Sequence, residues 1–272
     1  MNDVAKHYTE GGSLLDRISE GLAGAGKSLD KATTADLAAV DEFHIRGRKA
    51  TLELAEGLAL STASRVLDLG SGLGGPARTL AEAYGCHVTG IDLTPEFCTT
   101  ATALSAKTGL SDRVEFIQGD ATDLPFGEAS FDAAMTIHVA MNIAAKDRLY
   151  AEARRVLKPG GRFAIYDVMQ GEGGDILYPV PWARDASISF VATPDEVARL
   201  LADAGFRVLE RRDSTDESGA WFQALAAESA RNGPPPLSVA AILGADRKVM
   251  VQNQVRNLAE RRIRTVAFLC EA

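Results

Sequence analysis

The sequence predicts an α/β fold, a doubly wound and mostly parallel sheet, and three observations lead there. Between about residue 64 and residue 213, short apolar runs alternate with helical patterns, as repeated βαβ units do. A glycine-rich turn, Gly70 to Gly75, sits between one such run and a helical segment. At 272 residues the chain suffices for one generous domain, or one domain with an added cap, and buries a sizeable core without staples.

Six strands are expected in order: RVLDL (65–69), CHVTGI (86–91), RVEFI (113–117), FDAAMTI (131–137), RFAIYDV (162–168) and FRVLERR (206–212). A seventh, IRTVAFLC (263–270), ends the series. The helices between them carry start signals. Thr94 precedes Pro95, and Thr193 precedes Pro194 with Glu196 three residues beyond the cap. After Lys146, Leu149, Ala153, Val156 and Leu157 recur at helical spacing up to a stop at Lys158, Pro159, Gly160 and Gly161. Residues 1–60, read as an N-terminal helical cap, lie outside this pattern, as do 171–193 and 216–262; these cover segments are expected to set specificity for the main domain, 61–272. Pro234, Pro235 and Pro236 mark a break between two helices.

Composition narrows the partners. Acidic residues outnumber basic ones 37 to 29, a net charge of −8 that repels a polyanion, so nucleic acid is not expected. Arg154 with Arg155, and Arg261, Arg262 and Arg264, read as solvated faces. Cys86, Cys98 and Cys270 fit neither disulfide nor metal-ligand spacing and are expected reduced and buried, with no metal bound. No run approaches the roughly 18 to 20 apolar residues of a membrane span, and no secretory apolar region opens the chain, so a cytoplasmic protein without a membrane partner is expected. Oligomeric state is not legible, and a homodimer is one arrangement the sequence allows.

One motif is a decoy. GLAGAGKS, from Gly21 to Ser28, satisfies the phosphate-loop pattern, with Lys27 and Ser28 in the phosphate and magnesium roles. A phosphate loop follows a buried strand, whereas Leu14, Leu15, Ile18 and Leu22 precede this one at helical spacing.

The turn after the first strand is the nucleotide site. Gly70 and Gly72 let the backbone turn sharply and approach a ligand, while Gly74 and Gly75 allow close helix packing. Gly70, Gly72 and Gly75 also satisfy the dinucleotide pattern, so the loop alone does not separate a dehydrogenase from a methyltransferase. Asp68, two residues earlier, suits the aminoacyl end of a cationic ligand and gives a pyrophosphate nothing. Asp92, 22 residues after Gly70, can accept both hydroxyls of a ribose. Asp120, in GDATDLPF, is placed to accept from an adenine amine, with the Ala121 amide opposite the ring.

Together VLDLGSGLGG, GIDLTPEF, GDATDLPF, FDAAMTIHVAMNI and RRVLKPGG resemble the class I S-adenosylmethionine-dependent methyltransferases over roughly residues 62–213. The resemblance implies a seven-stranded sheet with an antiparallel last strand. It implies S-adenosylmethionine as cofactor, surrounded by Asp68, Gly70, Gly72, Asp92, Leu93, Asp120 and Ala121, with Ser71, Gly74 and Ile137 among the binding candidates. Within that class the sequence is more loosely similar to sarcosine/dimethylglycine N-methyltransferases and to ubiquinone-type and natural-product tailoring enzymes. The acceptor is therefore expected to be a small molecule, methylated on an amine or hydroxyl.

Methyl transfer from a sulfonium is an in-line displacement, in which positioning alone supplies about 7 to 11 kcal/mol. An amine or hydroxyl must also lose a proton, and His138, at the carboxyl end of the fourth strand, is the expected base, with Asp167 at the end of the fifth as the alternative. Met141 and Asn142 are expected to line the acceptor pocket. Phe43, His44, Arg46 and Arg48 cap the cofactor or hold an anionic group, and Tyr178, Trp182 and Arg184 cover the substrate. His7 and Tyr8 are lid candidates. Two competing readings remain: a nicotinamide-dependent oxidoreductase, which leaves Asp68 and GDATDLPF unexplained, and a non-catalytic S-adenosylmethionine-binding protein.

Overall fold

The computed structural model describes residues 13–243 and 246–272, so His7 and Tyr8 lie outside the described residues. The described part of the cap holds α1 (Leu14–Gly24), α2 (Thr34–Asp41) and α3 (Gly47–Glu56). Then β1 (Arg65–Leu69), α4 (Gly75–Tyr84), β2 (His87–Asp92), α5 (Pro95–Lys107) and β3 (Val114–Gln118) alternate. They are followed by β4 (Phe131–Ile137), α6 (Lys146–Val156), β5 (Leu157–Gln170), α7 (Pro194–Asp203) and β6 (Arg207–Asp213). The chain closes with α8 (Thr215–Asn232), α9 (Ala240–Leu243), α10 (Arg247–Ala259) and β7 (Ile263–Glu271).

The seven strands form one sheet in the order β3-β2-β1-β4-β5-β7-β6. The first five run parallel, and β7 inserts antiparallel between β5 and β6. Strand order reverses between β1 and β4, the switch point where ligands bind at the carboxyl ends of such sheets.

Apolar residues on both faces of the strands account for two helical layers. Phe163, Ile165 and Met169 of β5 pack with Leu149, Tyr150 and Ala153 of α6 and Val197 and Leu201 of α7. The alternate residues Ala164 and Tyr166 face Ala50 and Ala55 of α3 and Ala77 and Leu80 of α4. A third cluster joins the cap to the main domain: Leu14, Ile18 and Leu22 of α1 and Leu37 and Val40 of α2 meet Phe97 and Leu104 of α5, with Leu237 and Ile242.

Local signals act largely as expected. Thr193 and Glu196 form both arms of a capping box, while Thr94 caps α5 by position without a side-chain bond. The triple-proline segment separates α8 from α9. The Gly21–Ser28 decoy sits at the end of α1, where Lys27 pairs with Asp36 and Gly21 packs on Leu237. Strand β5 differs from expectation: it spans Leu157–Gln170 and absorbs the Pro-Gly-Gly turn, with a register shift against β4 between Phe131 and Ala133. Among the described residues, no helix is long and apolar enough to cross a membrane.

Candidate active site

Four turns at the carboxyl ends of the parallel strands converge on a cleft of about 480 Å³. Gly70 to Leu73 follow β1, Leu93 and Thr94 follow Asp92 of β2, Gly119 to Thr122 follow β3, and His138 and Val139 follow Ile137 of β4. Of the expected cofactor residues, the structure brings Gly70, Ser71, Gly72, Asp92, Leu93, Asp120, Ala121 and Ile137 to this lining.

Backbone geometry makes the cradle. Gly70, Gly72 and Gly74 have φ of 76°, 52° and 76°, the left-handed region that disfavours a Cβ. A Cβ on Gly72 would meet no protein atom within 4 Å, whereas one on Gly70 would lie 2.4 Å from Val139 Cγ2. Gly74 does not line the cleft; its Cβ would strike the Phe116 ring at 2.3 Å, so this glycine serves close packing. The Gly72 amide donates to Asp92 Oδ2 at 2.8 Å and the Thr94 amide to Oδ1 at 2.9 Å, which fixes the β2 carboxylate beside the glycine turn. Asp120 Oδ1 accepts from the Thr122 amide and hydroxyl, both at 2.8 Å.

Asp68 departs from expectation. It is 2% exposed at the end of β1, outside the cleft lining, and its Oδ2 has no hydrogen-bond partner. Burial, then Glu42 and Asp92, raise its pKa to about 8.

Beside the cleft lies a second cavity of about 260 Å³, walled by Trp182, Trp221, Phe222, Met141, Val239 and Leu243 among others. Phe43, His44 and His138 line both cavities and form their common wall. Among the described lining residues of this chamber there is no lysine or arginine, and its one carboxylate, Glu42, accepts from Thr51 Oγ1 at 2.6 Å and Thr79 Oγ1 at 2.5 Å.

His138 occupies a backbone state rare for a non-glycine, φ 54°, held by its amide donating to the Tyr166 carbonyl at 2.7 Å. Its ring lies 5.0 Å from that of Tyr166, and its Nε2 is buried without a partner. Burial, with His44 as a like charge nearby, holds its pKa well below the usual histidine value, so the ring is neutral near pH 7.

Several expected substrate residues go elsewhere. Asp167 lies three residues before the end of a strand longer than expected, on the face toward α6. There it accepts from the Met141 amide at 3.0 Å and the Val168 amide at 2.8 Å, with Lys146 nearby, and it lines neither cavity. Arg48 bonds Thr34 and Glu82, and Arg46 grips Glu53 through both carboxylate oxygens, so neither enters the lining. Tyr178 packs into a cluster with Val180 and Leu258 outside both cavities, and Arg184 pairs with Asp246 at 3.7 Å. Asn142 does reach the cleft, but its Nδ2 is spent on the carbonyls of Trp182 and Ile188, tying the 171–193 connection down over the site.

Residues missed by sequence reasoning supply much of the electrostatics. Arg78, fully buried in α4, bonds Asp41 Oδ2 at 2.7 Å, the Leu73 carbonyl at 2.6 Å, the Ala101 carbonyl at 3.1 Å and Ser105 Oγ at 3.0 Å. Asp41 lines the cleft from the cap. The available signal was the adjacent carboxylates Asp41 and Glu42 ahead of Phe43, but Arg78, the partner of Asp41, is 37 residues away.

The cleft suits a nucleoside with a cationic amino-acid end. Buried and partnerless Asp41 Oδ1 and Ser71 Oγ belong to lining residues about the glycine turn, and Asp92 sits where ribose hydroxyls would come. Fold and site together define a nucleotide-type α/β fold with an open cleft at the β1/β4 switch point.

A methyltransferase domain family model matches residues 67–165. Methyltransferase GfsG of Streptomyces halstedii is 32% identical over 186 residues, covering 67% of each chain. Sterol 24-C-methyltransferase ERG6B of Gibberella zeae is 40% identical over 114 residues, which cover 42% of this chain and 30% of that one. The chain spans about half or less of the length of the sterol methyltransferases it matches. Phosphoethanolamine N-methyltransferase 2 of Haemonchus contortus superposes with a TM-score of 0.73 at 20% identity, over 88% of this chain and 57% of that one. The geranyl diphosphate C-methyltransferase of Streptomyces coelicolor gives 0.66 at 17%, over 82% and 78%; likeness at such identity speaks to fold alone. This chain belongs to the class I S-adenosylmethionine-dependent methyltransferases. That membership removes the nicotinamide reading.

Proposed function

We propose that the protein methylates a small, largely apolar metabolite on a hydroxyl or amine, taking the methyl group from S-adenosylmethionine. The observation that carries this reading is the partnerless Nε2 of His138, in the wall shared by the polar cleft and the apolar chamber. When bound, the cofactor supplies an electrophilic methyl group, whose bond to sulfur breaks as the bond to the acceptor forms.

The chain's own groups do the rest. Gly70 to Leu73, Asp92 and Asp120 hold the nucleoside. His138, already neutral, takes the proton that the acceptor loses. Phe43, Ile45, Pro181, Val239 and Leu243 enclose the acceptor and keep water out, Trp182 and the pair Trp221 and Phe222 supplying aromatic wall. A hydroxyl fits this wall better than an ammonium, because Glu42, the chamber's carboxylate, is already occupied by Thr51 and Thr79. The lack of lysine or arginine in the described lining speaks against a diphosphate-bearing acceptor.

A carbon acceptor is the second reading, favoured by the sterol 24-C-methyltransferases among the relatives. His138 would then take a proton from carbon. Calorimetry with S-adenosylmethionine and S-adenosylhomocysteine tests the cofactor half: absence of heat for folded protein overturns it. Methyl transfer from labelled S-adenosylmethionine to a panel of apolar alcohols, amines and alkenes, with charged and diphosphorylated compounds beside them, tests the acceptor half. Label entering only charged or diphosphorylated compounds overturns it.

A further inference from the structure

We infer that Asp41, delivered by the cap, is the residue that grips the ammonium of the cofactor's amino-acid end. The assignment rests on the cofactor reading above and adds to it a contact from outside the glycine turn.

Three carboxylates line the cleft among the described residues: Asp41, Asp92 and Asp120. Both oxygens of Asp92 take backbone amides, and Oδ1 of Asp120 takes Thr122. Asp92 and Asp120 stand after β2 and β3, the side where ribose and base belong. Asp41 stands apart from them, against the glycine turn and the start of α4. A Cβ on Gly75 would lie 2.3 Å from the Asp41 carbonyl oxygen and 2.8 Å from its Oδ1.

Asp41 is 4% exposed, yet its Oδ1 has no hydrogen-bond partner. Buried carboxylate oxygens are rarely left unbonded, and a missing donor points to a ligand. Its other oxygen cannot swing away, because Arg78 holds Oδ2 at 2.7 Å while itself fixed by Leu73, Ala101 and Ser105. The orphan oxygen is therefore preorganised. Burial raises the Asp41 pKa to about 6 even against the Arg78 charge, so a second cation would relieve a real cost. No lysine or arginine lines the cleft among the described residues to compete for it.

Arg78 gives the grip a structural consequence: one guanidinium nitrogen bonds both the cap, through Asp41, and the glycine turn, through the Leu73 carbonyl. Ligand charge at Asp41 thus locks the cap onto the cradle.

The test compares two ligands on the full chain by calorimetry. S-adenosylhomocysteine carries the amino-acid end and 5′-methylthioadenosine lacks it. Asp41→Asn should weaken S-adenosylhomocysteine tenfold or more while leaving methylthioadenosine within twofold. Removing the α-amino group from S-adenosylhomocysteine should cost the wild type about as much, and cost Asp41→Asn nothing further. Unchanged S-adenosylhomocysteine affinity, or equal loss for both ligands, overturns the assignment. If Asp41→Asn does not fold, the wild type decides with the deaminated ligand, and a loss below twofold is fatal. Failure of the wild type to bind either nucleoside removes the cofactor reading itself, a different result from any of these.

Discussion

His138 and His44 meet edge to face, ring centroids 5.9 Å apart and planes at 65°, in the wall between the cleft and the apolar chamber. The two rings are not equivalent. His44 Nε2 lies 3.0 Å from the Gly47 carbonyl and 3.2 Å from Thr51 Oγ1, whereas His138 Nε2 has no partner. The buried ring nitrogen left without a partner thus belongs to His138. His138→Gln should lower kcat by about 10² to 10⁴, while calorimetry finds S-adenosylhomocysteine affinity unchanged. Parallel loss of both would make the ring a structural prop.

The sign of the His138 shift fixes a pH profile. Burial and His44 hold its pKa well below 6.5, so the neutral form needed for proton uptake persists as pH falls from 8 through 6. Turnover should stay level across that window in a kcat profile. A fall centred near 6.5 would show an exposed, ordinary histidine instead.

Asp68 predicts proton release on binding. With its pKa raised to about 8, it is largely protonated at pH 7 in the free protein. An ammonium or sulfonium nearby favours the carboxylate, so a proton leaves as the ligand arrives. Affinity for S-adenosylmethionine should rise with pH from 6 toward 8 and level off above the Asp68 pKa. Calorimetry in buffers of different ionisation heat reads the proton directly, and Asp68→Asn should remove most of it, leaving the small fraction that Asp41 contributes. Equal heats in all buffers near pH 7 would place Asp68 out of the ligand's reach.

Two glycines separate ligand space from packing. Gly72→Ala puts a methyl group into open cleft at φ 52°, at a conformational cost of roughly 1 to 2 kcal/mol. Its main effect should be on nucleoside affinity. Gly70→Ala instead drives Val139, the neighbour of His138, and should lower Tm more than Gly72→Ala does. Thermal melts and calorimetry on both variants check the ordering.

Much of this was legible before the structure, and what was legible is local. Glycines in the turn after β1 and acidic residues closing β2 and β3 reach the cleft because strand ends position them without help from distant chain. Asp167 was misplaced for an equally physical reason. Asp167 shares a face of β5 with Phe163, Ile165 and Met169, so side-chain alternation turns it toward Lys146 and away from the cleft. Arg48 and Arg46 looked available for an anion because Glu82 and Glu53, their partners, could not be read from spacing. Trp221 and Phe222 lay within a segment expected to set specificity, but only tertiary packing brings them opposite Met141 and Trp182.

The buried pair between Arg78 and Asp41 adds an ionic tie to the apolar packing that joins cap and cradle. Both side chains are removed from water, 0% and 2% exposed, and the guanidinium reaches four acceptors on the cap, the glycine turn and α5. Breaking such a pair from one side costs about 3 to 5 kcal/mol, because a buried charge is left uncompensated. Arg78→Met should therefore be severely destabilising. Adding Asp41→Asn removes the orphaned charge and should restore part of the loss, a coupling that a double-mutant cycle in urea measures. The cofactor should not rescue both equally: with Asp41 intact its ammonium replaces the missing guanidinium, so S-adenosylmethionine should raise the Tm of Arg78→Met more than that of the double variant. Equal rescue would mean that the cap is held by packing of α1 and α2 alone, with the ion pair as a passenger.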